Sequence, residues 1–219
     1  MTAATPGTRQ QRAQETRDRL FFAACELFVA NGYAGTTVDS IAARAGVAKG
    51  TFFVHFKTKD AVATQLIANQ TGAARRARDK VLAAGGSPVD GLVATVLTLG
   101  KQAGASRMLS RAVLAATLES GEVAGDSTKL FEGIRAILLA DAQAAKRAGM
   151  LSRRADPKQL AWSLLAAYLG SVLSFASNPG AVPLVDGLTP LVQATLDAAG
   201  CAPSSARKKG VRGRASPGQ

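Results

Sequence analysis

The chain has one histidine and two cysteines among its 219 residues. Two cysteines, Cys25 and Cys201, exclude a disulfide framework. Cys25 lies on an apolar helical stretch and reads as inert core, and Cys201 stands where the C-terminal tail begins. A lone His55 cannot build a metal centre. With no His/Cys cluster and no Gly-rich phosphate loop, neither an enzymatic site nor a cofactor or metal is expected. The carboxylates of Glu119 and Glu122 read as a solvated helix end. Aromatic residues are only 5% of the chain, so the core must come from Ala, Leu and Val. Ala and Leu favour helix, and no sustained apolar/polar alternation is present. The expected fold class is all-α, with about nine helices.

The N-terminus lacks the apolar stretch of a signal peptide. The longest apolar run, Leu160 to Ala176, is interrupted by Ser163, Gly170, Ser171 and Ser174, and it reads as too short to span a bilayer. The expectation is a soluble, cytoplasmic protein with no membrane partner. Acidic residues are few: 15 Asp and Glu face 27 Lys and Arg, a net charge of +12. Such an excess suits a polyanion. The charge is uneven: +3 over residues 1–60, +4 over 61–200 and +5 over 201–219.

The most informative stretch runs from Thr36 to Lys59. Val38, Ile41, Ala42 and Ala45 recur at i, i+3, i+4 and i+7, one buried helical stripe. Thr36 or Thr37 stands where an N-cap hydroxyl belongs. Gly46 follows the stripe and suits a left-handed helix stop. A second short helix carries Val47, Phe52 and Phe56 inward and leaves Lys49, Gly50, Thr51, Phe53 and His55 on or near its outer side. One bracing helix and one groove-entering helix make a helix-turn-helix.

Thr36-Thr37-Val38, Ile41-Ala42, Ala45-Gly46-Val47, Gly50-Thr51, His55-Phe56 and Lys59 together resemble the DNA-binding signature of the tetracycline-repressor-like (TetR) family of transcriptional regulators. The resemblance covers roughly residues 15–65. It implies phosphate contacts for Thr37 and Lys59, base or phosphate contacts for Lys49 and Thr51, and a DNA-proximal His55. Gly50 would let the backbone approach DNA. Phe53 departs from the family's usual Tyr and loses the hydroxyl that reaches phosphate; Val54 is apolar where a polar or aromatic residue is common.

Around this motif the chain reads as a disordered arm (1–12), a helix-turn-helix domain (13–60), an effector-binding and dimerisation domain (61–200) and a basic disordered tail (201–219). Helix 1 is expected from Gln14 to Ala30 and helix 4 from Thr58 to Ala84. Ser87-Pro88 opens helix 5, helix 6 spans Ser106 to Glu119, and Gly121 to Gly125 form a loop. Helix 7 starts at Asp126 or Ser127 and ends at Gly149. Asp156-Pro157 with Gln159 reads as a capping box opening helix 8. That helix is apolar around nearly its whole circumference, so it needs burial on two sides. Helix 9 lies between Pro183 and Ala199; at Pro190 it either kinks or starts afresh with Thr189 as cap.

The resemblance implies a homodimer formed through helices 8 and 9 (about 157–177 and 183–199), a double-stranded DNA operator and an unidentified small-molecule effector. Met108, Phe131, Trp162 and Tyr168 are the candidate pocket residues by size and character. A repressor released from a palindrome by its ligand is the leading reading. An activator, or a regulator without an effector, is the alternative on the same fold. A packaging protein driven by the basic tail is a further one.

Overall fold

A computed structural model describes residues 8–119 and 121–201, and among these residues the chain is all-helical. The arm before Thr8 and the tail after Cys201 lie outside the described residues. The helices are α1 (Thr8–Asn31), α2 (Val38–Arg44), α3 (Lys49–His55), α4 (Asp60–Ala83), α5 (Pro88–Gly104), α6 (Arg107–Glu119), α7 (Gly121–Arg147), α8 (Pro157–Ser177) and α9 (Leu184–Ala198). The chain divides into two units. One comprises Met1–Ile67 and Ser106–Leu130, the other Ala68–Ala105 and Phe131–Gln219.

The first unit packs Leu20, Ala23, Ala24 and Phe28 of α1 against Ile41, Phe52, Phe56 and Val62. Ala112 and Ala116 of α6 close the same core. So α6, assigned by sequence to the second domain, belongs with the helix-turn-helix. Two short helices bury too little apolar surface to stand alone, and α1 and α6 supply the remainder.

In the second unit α8 packs on α9, and both pack on α5. The buried side of α8 carries Leu160, Leu164, Leu165, Tyr168, Val172 and Phe175. α9 contributes Leu184, Leu188, Val192 and Leu196. Contact between α5 and α9 is close at Gly100, where a Cβ would come 2.8 Å from the Leu188 Cδ2.

Several boundaries differ from the sequence reading. α1 begins at Thr8, so residues 8–12 are helical and not a disordered arm. The expected loop at Gly121–Gly125 is helix, because α7 starts at Gly121; two glycines cost a helix only about 1 kcal/mol each. The Asp156 carboxylate caps the Lys158 N–H, but Gln159 turns to Ser163, so no capping box forms. α9 runs unbroken through the exposed Pro190, and the Thr189 hydroxyl donates to the Val185 carbonyl without acting as a cap. By length and composition α8 is sufficient to cross a membrane, contrary to the sequence estimate. Its inner side is nevertheless core. Cys25 is half-buried, while Cys201 is the buried thiol.

Candidate nucleic-acid interface

α2 is defined at both ends by local chemistry. Thr37 is its N-cap: the hydroxyl accepts the Ser40 N–H at 3.1 Å, and the Ser40 hydroxyl oxygen accepts the Thr37 N–H at 3.1 Å. Thr36 is buried instead, its hydroxyl donating to the Gly32 carbonyl at 2.8 Å. At the other end Gly46 adopts φ +68°. Its N–H donates to the Ala43 carbonyl and that of Val47 to the Ala42 carbonyl, the paired bonds of a Schellman turn. This turn delivers the chain directly into α3.

At about 100° per residue, Lys49, Gly50, Phe53 and Val54 fall on one arc of α3, and all four are exposed. Phe52 turns inward and is buried, as is Phe56, the extended residue that ends the helix. Thr51 and His55 lie on the flank between and are half-buried. The Lys49 ammonium lies 2.8 Å from a carboxylate oxygen of Asp39 on α2. An exposed pair of this kind is worth at most about 1 kcal/mol, so Lys49 can leave Asp39 for an incoming anion.

Lys59 precedes α4 and turns inward. Its ammonium donates to the carbonyl oxygens of Tyr33 at 2.9 Å and Thr36 at 3.1 Å. A second inward cation gave no signal in the sequence. Arg17 of α1 donates to the His55 carbonyl, which is at the last residue of α3, and to Gln65 Oε1 at 2.8 Å. Its guanidinium also lies 4.4 Å from the Phe56 ring centroid. Spacing within α1 marks Arg17 only as polar, because its partners are 38 and 48 residues away. An exposed Arg44–Glu26 pair further ties α2 to α1.

The four candidate pocket residues differ in burial. Met108 lies in the first unit and is exposed. Phe131 is half-buried on α7, Tyr168 is core, and Trp162 is 56% exposed on the outer side of α8. None of them lines the two open grooves of the α8–α9 region, of about 630 and 170 Å³. Burial pushes the Tyr168 hydroxyl well above the usual phenol range, as expected of a neutral core side chain.

A capped α2, a glycine turn and a short exposed α3 braced by two other helices form a helix-turn-helix, an architecture whose second helix can enter a DNA groove. Residues 20–66 match the family model for bacterial regulatory proteins of the tetR family, so this segment is similar to the DNA-binding domain of that family. Over 58 residues it is 50% identical to the HTH-type transcriptional regulator TcmR of Streptomyces glaucescens, covering 26% of each chain. Over 116 residues it is 30% identical to the HTH-type transcriptional regulator UidR of Escherichia coli K12, covering 52% of this chain and 58% of UidR. The aligned part thus spans between about a quarter and three-fifths of these curated relatives. Likeness of fold extends further. SmeT, the repressor of the Stenotrophomonas maltophilia multidrug efflux pump SmeDEF, superposes with a TM-score of 0.68 at 26% identity, over 85% of this chain and 91% of SmeT. SmeT has also been solved as a complex with triclosan; that structure superposes with a TM-score of 0.67 at 24% identity, over 84% of this chain and 91% of SmeT.

Proposed function

We propose that the protein is a homodimeric transcriptional repressor, working in the cytoplasm, that leaves a palindromic operator when a small molecule binds its second unit. The observation that carries the reading is the exposed arc of α3, set on a capped α2 and braced from behind by Arg17. Lys49 and Thr51 would meet base edges or phosphate, with Thr37, His55 and Lys59 near the backbone. Gly50 would admit the DNA closely, and Phe53 would pack against it.

A dimer through α8 and α9 accounts for their outer faces. Trp162, Ala166, Leu169 and Leu173 form an apolar stripe on α8 at i, i+4, i+7 and i+11, exposed or half-exposed. Leu191, Ala194 and Ala198 are the exposed apolar residues of the second half of α9. Two copies joined there would place two α3 helices on half-sites about one helical turn or more apart. Release requires that the ligand bind one dimer state more tightly than the other. That SmeT, of similar fold, has been solved with triclosan is in keeping with a small-molecule effector.

The test is a mobility shift with the chain's own upstream DNA, with and without candidate ligands. Saturable, sequence-dependent binding that ligand reverses is expected, and sequence-blind binding would overturn the reading. A reporter in a deletion strain separates repressor from activator by the direction of change. Truncation after Cys201 addresses the packaging alternative. A repressor without the tail keeps its operator and loses only affinity and salt slope, whereas a packaging protein loses binding altogether.

A further inference from the structure

The outer arc of α3 is unusually poor in hydrogen-bonding side chains for a surface that reads DNA. Val54 is 79% exposed and Phe53 is 50% exposed. Between them sits Gly50. A Cβ built there meets no atom within 4 Å, and its φ is not positive. Neither packing nor backbone conformation therefore requires glycine at this position. A helical glycine costs about 1 kcal/mol relative to alanine, and the space it leaves is open to an incoming molecule. The Phe53 ring is held in place by an edge-on contact with buried Phe52, with centroids 5.6 Å apart and planes at 86°. Gly50 thus leaves open space on the arc between an oriented aromatic ring and a β-branched side chain. Lys49, the one cation of the arc, flanks it.

Phe53 and Val54 can neither donate to nor accept from a base edge. In the major groove the apolar group a protein can read is the C5-methyl of thymine. We propose that Phe53 and Val54 are specificity-determining residues that receive thymine methyl groups in the open space beside Gly50, so that each operator half-site carries T·A pairs under α3. This rests on the helix-turn-helix reading above and assigns Val54 a role that spacing alone did not.

The experiment begins with a duplex selected from a random pool by the full chain. Thymines are then replaced by deoxyuridine one position at a time, which removes the methyl and leaves every hydrogen-bonding edge intact. Loss of about three- to tenfold in affinity is expected at one or two positions per half-site, the worth of a buried methyl. Val54→Ala should bind the thymine duplex more weakly and abolish its discrimination against uracil at one of those positions. Gly50→Ala should weaken DNA binding while the melting temperature holds or rises, because alanine is the better helix former. If the chain selects a sequence but no uracil substitution matters, the inference is overturned and the repressor reading stands. If no sequence is selected at all, it is the repressor reading that fails.

Discussion

The Lys59 ammonium holds Tyr33 twice: it donates to the Tyr33 carbonyl at 2.9 Å and lies 4.0 Å from the centre of the Tyr33 ring. A further bond to the Thr36 carbonyl places this one cation at the turn that feeds the α2 N-cap. Its geometry is that of a strut between the start of α4 and the end of α1. Replacing it should therefore be felt in stability before it is felt in electrostatics. Charge-assisted hydrogen bonds contribute about 1.5–3 kcal/mol, which for a chain of this size is a melting shift of roughly 4–10 °C. Lys59→Met should lower the melting temperature by that order and weaken operator binding with an unchanged salt slope. Tyr33→Phe is the control: the Tyr33 hydroxyl is buried with no hydrogen-bond partner among the described residues, so its removal should not destabilise. A Lys59→Met variant of native stability, whose salt slope falls by about one, would make Lys59 a phosphate contact instead.

The contrast between α2 and Lys59 marks what could be read from sequence. The stripe of Val38, Ile41, Ala42 and Ala45, and the stop at Gly46, are set by neighbours within one or two turns, so spacing revealed them. Placing the cap on Thr37 and burying Thr36 was not decidable, since either hydroxyl satisfies the local rule. Arg17, Lys59 and Arg78 act across 23 to 63 residues, and no periodicity encodes which charges turn inward. The early start of α1 has a local origin: Thr8 to Ala13 hold good helix formers without a strong stop or start signal. Size and character do not distinguish core Tyr168 from outward Trp162.

Inside the second unit, Arg78 of α4 grips Asp141 of α7. The Arg78 Nε donates to the Asp141 Oδ2 at 2.8 Å, and Nη2 donates to Oδ1. The Asp141 side chain is 2% exposed, and it lies so close to α5 that a Cβ on Gly91 would come 2.9 Å from Oδ2. The bond to Asp141 holds the Arg78 proton more firmly than usual. Truncating the cation strands a buried carboxylate, so Arg78→Met should cost about 3–5 kcal/mol of unfolding free energy. An apolar pair of similar volume, Arg78→Met with Asp141→Leu, should recover most of that loss. Urea denaturation of the three proteins measures both effects; equal losses in the single and double variants would show that the pair's burial is not what matters.

Cys25 is expected to be a poor nucleophile despite its partial exposure. Burial, helped by the neighbouring Glu26 carboxylate, pushes its thiol from 9.0 up to about 11. The thiolate is the reactive form, so native Cys25 should alkylate slowly at pH 8 and quickly in denaturant. Cys201, also raised by burial, should behave likewise. The folded chain keeps the Cys25 proton to higher pH than the unfolded chain. This contribution to stability is therefore complete below about pH 9 and is lost as pH rises toward 11. Comparing the pH dependence of unfolding in Cys25→Ala with the parent isolates it; an identical decline in both would assign the loss to other groups.

The outer stripe of α8 carries the last prediction. Trp162 and Leu173 are each more than half exposed, and Leu191 on α9 is 47% exposed. These large side chains lie on helices whose opposite faces already fill the core, so exposing them to water gains nothing for the isolated chain. Large exposed apolar patches mark interaction surfaces, and a two-fold interface repeats one patch on both partners. Leu173→Glu would set a carboxylate against its copy across such an axis, where charge burial without a partner is costly. The parent should be dimeric by light scattering and Leu173→Glu monomeric, with unchanged helicity by circular dichroism. Operator affinity should then fall steeply, because each monomer must pay separately for its own half-site. A parent that is monomeric at micromolar concentration, or a Leu173→Glu variant that stays dimeric, would remove this face from the interface.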